Sequence, residues 1–159
     1  MQQSCDENKK ELSMNCVYCE DASIQARLIT ENELAWSFPT NIPIVPGHIL
    51  ICPKRHVARL EDLSDEELKA LLGLRLELKA ALAKTFNCEG FNYAWNEGAV
   101  AGQSVPHLHL HMLPRREGDS GITEYEPRKF LYRPGSREAT PEEELRAVAD
   151  SIRSQLQND

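Results

Sequence analysis

Three histidines alternate with apolar residues in Pro106-His107-Leu108-His109-Leu110-His111-Met112-Leu113. Residues two apart in an extended chain share a face. The pattern therefore predicts a strand over 107–113, with His107, His109 and His111 on one side and Leu108, Leu110 and Met112 turned to a core. Such a strand needs paired neighbours and a layer that covers its apolar face. A solvated strand face ordinarily carries Thr, Ser, Lys or Glu. Three imidazoles instead gather groups that can attack phosphorus, move protons or bind a metal near neutral pH. Two readings follow: a reactive face, or a metal trap of alternating histidines. The other two histidines, His48 and His56, lie eight residues apart.

The rest of the chain supplies the partners. Short strands are predicted over 26–30 and 34–38, around the polar turn Glu31-Asn32-Glu33. The continuous apolar run Ile49-Leu50-Ile51-Cys52, bounded by Pro and Gly, reads as a strand covered on both faces. Ser64-Asp65-Glu66-Glu67 is a capping box that opens a helix over 64–85. The helix carries Leu68, Leu71, Leu72, Leu74, Leu76, Leu78 and Leu82, for core or subunit packing. A further strand is expected over 91–96 and a loop over 97–103. Thr140-Pro141-Glu142-Glu143 opens a C-terminal helix, with Pro141 in the favoured first position. This order predicts an antiparallel α+β domain.

Composition narrows the function. With 18 Lys and Arg against 25 Asp and Glu, the net charge is −7. A long polyanion would be repelled, so no nucleic acid partner is expected. No run approaches the roughly 20 apolar residues of a membrane span. Residues 1–10 lack the apolar stretch of an export leader. The cysteines, Cys5, Cys16, Cys19, Cys52 and Cys88, are odd in number, which argues against a disulfide framework and for a reducing cytoplasm. Cys52 and Cys88 read as small buried hydrophobes. Cys16-Val17-Tyr18-Cys19 offers two thiolates at a spacing that suits zinc; the alternatives are free thiols or a redox pair.

Gln103-Ser104-Val105-Pro106-His107-Leu108-His109-Leu110-His111-Met112-Leu113-Pro114-Arg115 resembles the signature of the histidine triad (HIT) superfamily. Pro46-Gly47-His48-Ile49-Leu50-Ile51-Cys52-Pro53-Lys54-Arg55-His56-Val57 is similar to that family's second block, and Cys16-Val17-Tyr18-Cys19 to the cysteine pair near the N-terminus of many bacterial members. The similarity spans roughly 15–118, which implies a polar tail over 1–14, a HIT domain over 15–118 and a helical extension over 119–159. It implies a sheet of about five antiparallel strands, and a homodimer in which the sheet continues across subunits. Pro114-Arg115-Arg116-Glu117-Gly118-Asp119 looks closest to the fragile histidine triad branch, which hydrolyses dinucleoside polyphosphates. The cysteine pair departs from that branch.

The resemblance implies a nucleotide-binding hydrolase or transferase that cleaves at an α-phosphate, in a dinucleoside polyphosphate or a nucleoside phosphoramidate. His109 would be the nucleophile and form a nucleotidyl-histidine intermediate. His111 would contact the phosphate or leaving group, with His48 across the site. Gln103 and Ser104 would bind leaving-group oxygens, Asn96 would line the pocket and Asn41 would reach the ribose of an AMP-type ligand. Ile42 or Ile44 would wall the base; Trp95 itself reads as core, the alternative being a flank of the nucleotide site. The family pattern also implies that His56 and His107 complete a structural zinc site with Cys16 and Cys19. The rivals are a catalytically idle nucleotide-binding adaptor and a metal-binding module.

Overall fold

The computed structural model describes residues 16–119 together with Glu143 and Arg146, both helical. The expected tail and Cys5, and the C-terminal helix apart from those two residues, lie outside the described residues.

The predicted capping box forms. The Ser64 hydroxyl accepts from the Glu67 amide at 3.2 Å, and the Glu67 carboxylate accepts from the Ser64 amide at 2.8 Å. It opens the long helix Asp65–Phe86, which ends at Asn87 in the left-handed conformation. The same carboxylate takes a two-pronged bond from Arg55, at 2.8 and 2.7 Å, and is almost fully buried. Glu67→Ala keeps the Ser64 bond to the residue-67 amide but removes the reciprocal bond to the Ser64 amide and both bonds from Arg55. We expect a loss of about 1–3 kcal/mol in urea unfolding, with the slope unchanged.

Among the described residues five antiparallel strands make one sheet: β1 (Thr30–Glu31), β2 (Ala35–Pro39), β3 (Ile49–Pro53), β4 (Gly90–Trp95) and β5 (Leu110–Arg115), in the order β1-β2-β3-β5-β4. Two short helices precede it, α1 (Val17–Glu20) and α2 (Ala22–Ala26), and the long helix is α3. Of the strand expected over 26–30 only Thr30 forms: Ala26 ends α2, Arg27 is in a turn, and Leu28 and Ile29 are irregular. Asp21 caps α2 by accepting from the Ser23 amide, a local bond that outweighs the apolar run after it.

Strand alternation sorts the two faces. Ala35, Ile49, Ile51, Leu110 and Met112 pack against Leu71, Leu74, Leu78 and Leu82 of α3. Trp95 packs against the same cluster, as expected of a core residue. Phe38, Leu50 and Cys52 point the other way and meet Ile24, Tyr18 and Trp36. Every residue of β3 is buried, as a strand covered on both faces requires. The leucine stripe divides: Leu68, Leu72 and Leu76 are exposed. Cys88 is only half-buried. The loop over 97–103 contains a single 3-10 turn, Ala99–Ala101.

The candidate active site and metal centre

The histidine strand begins later than its alternation suggested. Ladder pairing starts at Leu110, opposite Ile51, so His107 and His109 precede the ladder. The three histidines do share one side of the sheet, but that side is not wet. His107 is fully buried, His109 is 2% exposed and only His111 is half-exposed, because α1 and Tyr18 cover them. The Tyr18 ring stands edge-on to His109, centroids 5.3 Å apart, and to His107 at 5.9 Å.

Register brings His48 into the group. Leu50 pairs with His111, so His48, two residues earlier, lies on the same face and one step along the diagonal. The His48 and His111 rings are 5.2 Å apart, and His109 meets His111 edge-to-face at 4.8 Å.

The hydrogen bonds fix the protons. The Ile44 amide can only donate, and it reaches His48 Nδ1 at 3.1 Å. His48 therefore carries its proton on Nε2 and donates it to His111 Nδ1, 3.0 Å away. His111 in turn carries its proton on Nε2. That N–H is buried and has no partner among the described residues. A buried donor left unpaired costs about 1–3 kcal/mol, which an anion's oxygen at this point would recover. His109 is held separately. Its Nδ1 donates to the His107 carbonyl at 2.8 Å, so the Nε2 lone pair is free.

Burial favours neutral rings. It pushes His48 down to about 4, and His111 also to about 4, with the neighbouring imidazoles adding to both. Burial lowers His109 as well, while its bond to the His107 carbonyl acts the other way. All three are therefore neutral at pH 7. Between about pH 6.5 and about pH 4 the unfolded chain takes up protons at His48 and His111 that the folded chain refuses. Stability therefore falls as pH drops through that window. Urea midpoints of nucleotide-free protein at pH 7.5 and pH 5 should show the fall, with a shallower slope in His111→Asn.

Cys16, Cys19, His56 and His107 form a second cluster, their ligand atoms all within 4.8 Å of one another. His107 Nδ1 lies 3.4 Å from both sulfurs, and His56 Nδ1 lies 3.6 Å from that of Cys19. Ligands at ordinary zinc bond lengths around a tetrahedron stand roughly 3.3–3.8 Å apart, so the donors fit. His107 donates Nε2–H to the Pro53 carbonyl at 2.8 Å, which leaves the Nδ1 lone pair facing the thiols. A backbone carbonyl in that position is the usual second shell of a metal-bound histidine. Burial beside Cys16 holds the Cys19 thiol up near 12, a cost that a cation between the sulfurs would reverse. This cluster can hold a metal.

The remaining sequence-predicted residues lie around these two clusters. Gln103 is committed to the backbone: its side-chain oxygen accepts from the Gly98 amide at 2.7 Å and its amide donates to the Ala58 carbonyl at 2.9 Å. It ties the loop over 97–103 to the segment that carries His56. Asn96 is half-buried beside Gly102. Asn41 and Ser104 are exposed on loops, and none of these three hydrogen-bonds to a histidine among the described residues. Ile42 is 78% exposed and Ile44 47%, and Ile44 contributes its backbone amide to His48. The apolar ring beside His109 is Tyr18, which packs at a tilt against Phe38, centroids 5.4 Å apart. Sequence reasoning assigned Tyr18 no role. The signal was an aromatic residue set between two metal-type cysteines.

On the covered face of the antiparallel sheet, a neutral imidazole with a free lone pair thus lies next to an unpaired buried N–H. The chain belongs to the HIT domain family, which matches residues 21–118. It is 31% identical over 131 residues to a bis(5'-adenosyl)-triphosphatase of Dictyostelium discoideum, covering 81% of this chain and 85% of the relative. An adenosine 5'-monophosphoramidase of Saccharomyces cerevisiae is 32% identical over 113 residues, covering 70% and 69%. Among solved structures, a zinc-bound histidine triad family protein from Mycobacterium smegmatis superposes with a TM-score of 0.61 at 32% identity, covering 70% of this chain and 82% of that one.

Proposed function

We propose that this protein is an enzyme, a nucleotidyl hydrolase or transferase. It cleaves at the α-phosphate of a dinucleoside polyphosphate or a nucleoside phosphoramidate through a covalent intermediate on His109. The observation that carries this reading is the bond from His109 Nδ1 to the His107 carbonyl, which commits the Nε2 lone pair to attack. The activities named for the Dictyostelium and yeast relatives support the substrate class.

His109 Nε2 attacks the α-phosphorus, a P–N bond forms, and the bond to the leaving group breaks, a polyphosphate departing as its anion and an amine after taking a proton from solvent. The ring becomes cationic while Nδ1 keeps its proton, and the His107 carbonyl stabilises that charge. Water or another acceptor then attacks phosphorus and gives up a proton to solvent, the P–N bond breaks, and neutral His109 returns. Splitting one displacement into two is the general benefit of covalent catalysis. The unpaired His111 Nε2–H donates to a phosphate oxygen, with His48 holding the tautomer from behind. Asn41 reaches the ribose, Asn96 lines the pocket, and Gln103 and Ser104 serve the leaving group. For Gln103 that requires release from Gly98 or Ala58.

Cys16, Cys19, His56 and His107 hold zinc, which when bound cross-links α1 to the histidine segment. Elemental analysis should find about one zinc per chain, lost in Cys16→Ser. The reading also includes a reducing, cytoplasmic setting and a homodimer. β4 is a sheet edge, and Tyr93 is exposed beside Arg75 of α3. No helix among the described residues is long and apolar enough to cross a membrane.

The test is AMP release, side by side, from diadenosine triphosphate and from adenosine 5'-monophosphoramidate. Release from either, dependent on His109, supports the proposal, and the preferred substrate sets the branch. AMP bound with neither cleaved overturns it in favour of an idle adaptor.

A further inference from the structure

The metal cluster and the candidate nucleophile share one residue. His107 gives Nδ1 to the cysteine sulfurs, donates Nε2–H to Pro53, and presents its backbone carbonyl to His109 Nδ1. That carbonyl lies outside the β-ladder, which begins at Leu110. The main-chain bond nearest to it joins the Leu108 amide to the Val57 carbonyl, at 2.6 Å, and Val57 follows the other histidine of the cluster. The His107 carbonyl and the Leu108 amide are one peptide unit, so that unit is oriented by a bond between the segments that carry the cluster's two histidines, rather than by the sheet.

A second observation points the same way. Helix α1 has four residues, no side-chain cap and no buried residue of its own. A single turn of that kind does not persist unaided. Cys16, at its N-cap, and Cys19 tie it to His107 and His56, and that tie sets Tyr18 5.3 Å from His109.

We propose that Cys16, Cys19, His56 and His107 act as a positioning device for His109. With metal bound, the His107 carbonyl holds the His109 proton on Nδ1, and Tyr18 is seated as the wall beside the reacting ring. The catalytic meaning of this claim rests on the function proposed above for His109. The structural claim does not.

The test uses the full chain with 15N-labelled histidine, prepared with zinc, stripped by a chelator and reloaded with zinc alone. The zinc-loaded protein should show His109, identified by its loss in His109→Asn, as a single Nδ1–H tautomer. Stripping should turn that signal into a tautomer mixture and lower kcat about tenfold or more, with both restored on reloading. Stripped protein that stays folded by circular dichroism, keeps the single tautomer and keeps kcat within about twofold would overturn the proposal, as would a failure to bind zinc at all.

If stripping unfolds the chain, His56→Ala supplies the second arm. It removes one of the two partly exposed ligands, so zinc occupancy can be titrated while circular dichroism stays constant. The His109 tautomer should follow occupancy, and a tautomer indifferent to zinc across that titration is the overturning result. Zinc-loaded protein that cleaves neither nucleotide would count against the proposed function, while the tautomer signal would still decide the positioning claim.

Discussion

Replacing His109 with alanine should abolish AMP release by about ten-thousand-fold or more while leaving AMP affinity within a few-fold. Removal of a nucleophile that acts through a covalent intermediate costs rates of this order. The affinity should survive because the groups that meet the phosphate are elsewhere. His111 Nε2–H is buried and unpaired, and His48 holds the tautomer that exposes it. Neither bond passes through the His109 side chain. A single-turnover assay beside an AMP titration by calorimetry checks both halves. Turnover that survives the substitution would remove His109 as nucleophile. Turnover and affinity lost together would mean that the ring builds the pocket rather than performs the attack.

The second large effect is on stability. Gly47 has φ +85°, a region that side chains rarely adopt, and it packs against the end of α3. A Cβ there would lie 2.6–2.9 Å from three atoms of the Phe86 ring. Gly47→Ala therefore carries two penalties: left-handed strain, and a ring at the edge of the core that must move. Together they should cost about 2–4 kcal/mol. For a chain of this size that lowers Tm by roughly 5–15 °C in a calorimetric scan. The residue after Gly47 is His48, so the shift should also disturb the contact with His111. Gly98→Ala is the comparison: it has a similar φ of +82° but open space around it, so it should show the strain alone.

Much of the fold was legible because it is decided locally. The cap at Ser64 and Glu67 and the leucine spacing of α3 are interactions within a few residues, and they appear where the sequence puts them. The apolar run of β3 between its proline and glycine boundaries is equally local. The failures have physical causes too. Residues 26–30 have strand-like composition, but the Asp21 cap two residues before Ser23 starts a helix that consumes the first of them. The histidine strand was placed three residues early. Alternation gives a face but not a hydrogen-bond partner, and the amide of Leu108 is taken by Val57 outside the sheet.

The sequence by itself determined that His107, His109 and His111 face one way, that two cysteines stand at metal-ligand spacing, and that a capped helix begins at Ser64. Each follows from a periodicity or spacing within one segment. Only the tertiary structure decided that the histidine face is buried, and that His48 reaches His111 through the pairing of Leu50 with that residue. It alone set the Ile44 amide and the His107 carbonyl, backbone groups that every residue but proline carries alike, as the fixers of the imidazole protons. It also joined Cys16 to His107 across 91 residues. Register, burial and backbone direction depend on contacts between distant segments, and a one-dimensional pattern does not contain them.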